Sequence, residues 1–141
     1  MTIIGFNFTK IDAERKESLK GKININNNVT IINVEEKKLS LATEKQKVLS
    51  FTFEFTVKYD PNIGSITFNG DVLFMEDANK VKEILDGWKK NKKLPKEITT
   101  SVLNTVLSKC NIQALIVSEQ INLPPPLPLP KVQVGQKKDW F

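Results

Sequence analysis

Residues 51–59, FTFEFTVKY, alternate without a break: Phe51, Phe53, Phe55, Val57 and Tyr59 fall on one side, and Thr52, Glu54, Thr56 and Lys58 on the other. Side chains along an extended chain point to opposite faces in turn, so this run is a strand with one apolar face. It ends at Asp60-Pro61-Asn62-Ile63-Gly64, where proline fixes a turn and Asn or Gly tolerates positive φ. Alternation then resumes through Ile66, Phe68, Gly70, Val72 and Phe74, which makes the two runs an antiparallel hairpin. Gly70 in mid-strand predicts a bulge or the close approach of another backbone.

Two more strands precede this hairpin. Ile4, Phe6 and Phe8 alternate in the first, and Ile23-Asn24-Ile25 followed by Val29-Thr30-Ile31-Ile32-Asn33-Val34 reads as the second, with an irregularity expected at Asn26-Asn27-Asn28. Residues 35–47 are charged with little apolar rhythm and read as a loop. After Asp77, a candidate N-cap, Val81, Ile84, Leu85 and Trp88 recur at helical spacing. A lysine-rich end follows, and Pro95 and Glu97 then open a second helix. Its broad stripe of Ile98, Val102, Val106, Cys110, Leu103, Leu107 and Ala114, reaching to about Val117, predicts roughly 24 residues and about 35 Å. Strands followed by helices give an α+β fold: a four-stranded antiparallel sheet, then a shorter and a long helix, with helix over one sheet face. Residues 1–134 form one domain in this reading, including the proline-rich segment 123–131, and residues 135–141 form a C-terminal tail.

The chain has no histidine, which removes His-based acid–base catalysis, most zinc sites and the usual Ser or Cys nucleophile systems. Phosphate-cradling glycine loops and calcium-loop patterns are absent from the sequence. Cys110 falls within the apolar stripe of the long helix and reads as a small core residue. The expectation is a protein that is not an enzyme, with no catalytic residues, no metal and no cofactor.

Lysine and arginine number 21 against 16 acids, a net charge of +5, and Arg15 is the single arginine. Arginine's planar fork is the usual tool for reading bases and clamping phosphate, so nucleic acid is a disfavoured partner. Within residues 88–96, WKKNKKLPK, Lys89, Lys90, Lys92, Lys93 and Lys96 still form a basic patch, which supports a second reading as a nucleic-acid or ribosome-associated adaptor. One cysteine cannot form an intrachain disulfide, the opening residues lack a signal-peptide pattern, and no apolar run is long enough to span a membrane. A cytoplasmic protein is expected.

Residues 121–131, INLPPPLPLPK, hold five of the seven prolines and carry leucines where a linker would carry polar residues. Such a run favours polyproline II, about 20 Å long, with no internal hydrogen bonds and little entropy left to lose. Leu123, Leu127 and Leu129 are expected to pin this strut across the end of the sheet or against a neighbouring chain.

The order of elements, together with PKEITTSVLNTVLSKCNIQALIVSEQINLPPPLPLPKV, resembles SecB, the export chaperone, and more closely the small SecB-like proteins of archaea. The resemblance implies an ATP-independent holdase, assembled as a homo-oligomer, dimer or tetramer, that binds unfolded polypeptide on apolar surface. Bacterial SecB is acidic whereas this chain is basic, and its end, QKKDWF, lacks the tail signature of SecA docking. The candidate client-contact residues are Phe51, Phe53, Phe55, Leu127, Leu129, Trp140 and Phe141.

Overall fold

The computed structural model describes residues 2–16, 21–39 and 45–130. Four strands come first: β1 (Thr2–Arg15), β2 (Asn24–Lys37), β3 (Gln46–Asp60) and β4 (Gly64–Asp77). Two helices follow, α1 (Ala78–Asn91) and α2 (Lys96–Gln120). The sheet is antiparallel throughout, in the order β1-β4-β3-β2, so β1 and β2 are its edges. This is the expected α+β arrangement.

The alternation of β3 and β4 decides which face is buried. Phe51, Phe53, Phe55, Val57 and Tyr59 pair in register with Val72, Gly70, Phe68, Ile66 and Gly64, and all of these residues are buried on the face under the helices. The helices supply Val81, Ile84 and Trp88 from α1, and Ile98, Val102, Val106, Cys110 and Ala114 from α2. The opposite face carries Thr52, Glu54, Thr56, Lys58 and Asn69, with Asn69 Nδ2 donating to Glu54 Oε2 at 3.3 Å. A polar face of this kind can stay in water.

Gly70 meets its expectation. A Cβ there would collide with the carbonyl oxygen of Asn7 and approach Cζ of Phe53 to 2.8 Å, so glycine lets β1 and the Phe53 ring close on this point. A register shift between Phe8 and Lys10 lies directly opposite. The β2 irregularity is displaced from its expected place: Asn26-Asn27-Asn28 pair continuously with β3, and the bulge falls between Ile31 and Asn33. Ile32, the extra residue, is turned out to solvent as bulged residues on edge strands often are.

The strands are long for their number. Strands of 14 or 15 residues make a sheet about 45 Å by 19 Å, whereas helices of 14 and 25 residues are about 21 and 37 Å long and about 10 Å wide. Two such helices cover roughly two thirds of that area. They pack on β2, β3 and β4, and β1 lies at the far edge.

Candidate functional site

Because the helices stop short of it, β1 keeps an open apolar strip. Ile3, Phe6, Phe8 and Ile11 pair with Phe74, Val72, Gly70 and Phe68, all on the helix-covered face. Bulges after Ile3 and Phe8 shift the alternation, so this set differs from the simple Ile4, Phe6, Phe8 series that the sequence pattern gives. Ile3 is 49% and Ile11 50% exposed, and Phe6 and Phe8 are partly buried. The Phe6 ring stacks on Phe53 with centroids 5.3 Å apart, and Phe8 lies 5.3 Å from Phe68 and 5.1 Å from Phe6. The strip is therefore the outer margin of the aromatic core, already ordered before anything docks on it.

The core phenylalanines themselves are unavailable. Phe51, Phe53 and Phe55 have no exposed surface, which corrects the expectation that they contact clients: they pack under α1 and α2, and the accessible apolar residues are their neighbours on β1. Trp140 and Phe141, and the boundary between residues 134 and 135, lie outside the described residues.

A second apolar surface is built by the proline strut. Helix α2 ends with Asn122 in the left-handed region, φ 57°, and the Leu123 N–H donates back to the Ser118 carbonyl at 2.8 Å, which turns the chain onto the sheet. Leu123 is buried, with its Cδ1 against Gly64 at the β3–β4 turn. The Tyr59 hydroxyl donates to the Pro124 carbonyl at 2.7 Å, and Asn27 Nδ2 donates to the Pro126 carbonyl at 3.1 Å. An extended proline run leaves its carbonyls free, and two side chains from β3 and β2 take two of them. Burial raises the Tyr59 phenol to about 12, which keeps its proton in place for this bond.

The strut thus crosses the end of the sheet within its own chain, pinned by Leu123 and the buried ring of Pro126. Leu127 is half-buried, and Leu129, expected as a pin, is 46% exposed. One cleft of about 700 Å³ opens between the strut and the end of α2, lined by Leu115, Ser118, Leu123, Pro125 and Leu129. Another of about 490 Å³, lined by Ile25, Leu127 and Leu129, opens towards β2.

Helix α2 adds exposed apolar residues on its outer side, Ile112 at 61% and Ile116, while its inner side carries Cys110. Burial pushes the Cys110 thiol up to about 12, so it is protonated and shielded at neutral pH. Lys89, Lys90, Lys92, Lys93 and Lys96 are all exposed around the connection between the helices, and Lys92 Nζ lies 5.1 Å from the Trp88 ring centroid. Among the described residues no cluster of His, Cys, Asp and Glu has a metal-binding arrangement, and no helix is long and apolar enough to cross a membrane.

No protein-family model matches the chain, and no curated protein matches it in sequence. Among solved structures it is similar to the SecB-like chaperone Rv1957 of Mycobacterium tuberculosis, determined in complex with a ChAD peptide from the Rv1956 HigA1 antitoxin. The TM-score is 0.58 and the identity 12%, and the match covers 94% of this chain and 89% of the other. At that identity the likeness shows a shared SecB-like fold. The matched chaperone is mycobacterial, so it lends no support to the archaeal group named from the sequence.

Proposed function

We propose that the protein is a SecB-like, ATP-independent holdase that binds nonnative polypeptide on apolar surface and has no catalytic activity. The observation that carries this reading is the open strip of Ile3, Phe6, Phe8 and Ile11 on β1, continuous with the aromatic core and left uncovered by the helices. An ordered apolar margin loses little entropy on binding and offers contact without demanding a particular sequence. The free edge of β1 adds main-chain donors and acceptors for an extended client. The fold shared with a chaperone solved with a bound peptide supports the same reading.

The holdase acts as a homo-oligomer in this proposal, and Ile112 and Ile116 on the outer side of α2 are the surface for self-association. A cytoplasmic setting fits the single, buried, unpaired Cys110. Light scattering from an aggregating test protein, titrated with this one, is the functional assay. Near-stoichiometric suppression that persists at about 0.5 M salt is expected, since salt screens charges and leaves apolar burial in force. Absence of suppression, or suppression that collapses in salt, would sink the reading.

A further inference from the structure

The lysine-rich connection between α1 and α2 stands apart from the β1 strip. None of Lys89, Lys90, Lys92, Lys93 and Lys96 makes an ion pair among the described residues. Beside them a cleft of about 400 Å³ lies between the helices and edge strand β2, with Val29, Ile31, Leu94 and Leu103 as apolar walls and Trp88, Lys92, Thr30 and Thr99 completing the lining. Trp88 is 8% exposed, and its Nε1 is buried without an acceptor among the described residues.

The strand beside the cleft is equally unsatisfied. β2 is a sheet edge, and its register with β3 runs uninterrupted from Asn24 to Ile31 before the bulge. Such an edge offers a row of main-chain donors and acceptors to an added strand.

We propose that this cleft and the adjoining β2 edge dock an extended segment of nonnative polypeptide in which apolar and acidic residues stand two apart. Residues two apart share one face of an extended chain, so the apolar side chain enters the cleft while its acidic neighbour meets the lysines. The proposal rests on the holdase reading and gives its client class: segments rich in Asp or Glu as well as apolar residues. Single-stranded nucleic acid fits less well. It binds by stacking bases on open aromatic faces, and Trp88 is nearly closed, with Lys92 over its ring.

The sequence has two tryptophans, so Trp140→Phe in the full chain leaves Trp88 as the single tryptophan reporter. Its fluorescence is titrated with three unstructured dodecapeptides that carry Ser at every even position and, at the odd positions that share one face, an apolar residue in alternation with Asp, Asn or Lys. The Asp peptide is expected to bind about tenfold more tightly than the Lys peptide at low salt, with a shift in Trp88 emission. Lys89→Gln/Lys92→Gln/Lys93→Gln is expected to bring the three peptides to within about twofold of one another, as is about 0.5 M salt. Aggregation suppression is measured in parallel on wild type. Equal affinities with suppression intact would overturn the acidic preference and leave the holdase reading standing. Tighter binding of a single-stranded oligonucleotide than of any peptide would overturn it in favour of a phosphate site. Loss of both peptide binding and suppression would remove the holdase reading along with it.

Discussion

Replacing Phe53 by alanine is expected to destabilise the fold by about 3–5 kcal/mol, the usual cost of emptying a fully buried aromatic site. Phe53 has no exposed surface, pairs with Gly70 on β4 and Ile31 on β2, and reaches the rings of Phe6 and Phe8 on β1. One side chain therefore ties both edges of the sheet to its centre. For a chain of this size the melting temperature should fall by roughly 10–20 °C. Phe53→Leu, which keeps most of the apolar volume, should lose less than half as much. Equal losses from Leu and Ala would mean that the ring contacts to β1, and not the volume that leucine keeps, carry the whole effect.

The second large effect is at Gly70. Gly70→Ala places a Cβ against the Asn7 carbonyl and the Phe53 ring, and overpacking in a closed site costs about 2–3 kcal/mol. Backbone cannot move aside as a side chain can, so β1 must shift away from β4. Phe53→Leu/Gly70→Ala should be less unstable than the sum of the two single changes, because the smaller side chain relieves one of the two collisions. Strict additivity in chemical denaturation would show that the ring and the Cβ never meet.

Much of this architecture is legible in the residues. The alternation of 51–59 and 66–74 places the core positions within those two runs, though not Val48 and Leu49 at the start of β3, and the spacing of Ile98, Val102, Val106, Cys110 and Ala114 places the inner side of α2. What alternation cannot say is which aromatics remain accessible. Phe53 and Phe6 have the same chemistry and share a face, yet one is closed and the other only partly buried, because coverage depends on how far two helices reach across a sheet of four long strands. The bulges in β1 and β2 escape the pattern too, since one extra residue changes the face of everything after it while leaving composition unaltered.

The proline strut was readable as a docked element from its leucines, but its anchors were not. Tyr59 and Asn27 lie 65 and 99 positions from the carbonyls they bind, and neither residue type announces a proline partner. The cleft at Trp88 has a faint local signal, an aromatic within a lysine run. Its wall of Val29 and Ile31 belongs to β2, which is brought alongside only by the tertiary fold.

Binding of a permanently unfolded, carboxymethylated polypeptide at about 0.5 M salt, compared for wild type and Ile3→Asp/Ile11→Asp, tests most directly whether β1 carries the client surface. Both isoleucines are half exposed, so the double variant should fold with a melting temperature close to wild type. Wild type should bind, and the variant should bind at least about tenfold more weakly, as expected when two apolar contacts are replaced by charges that resist desolvation. Equal binding by the two proteins, or none by either, would contradict it.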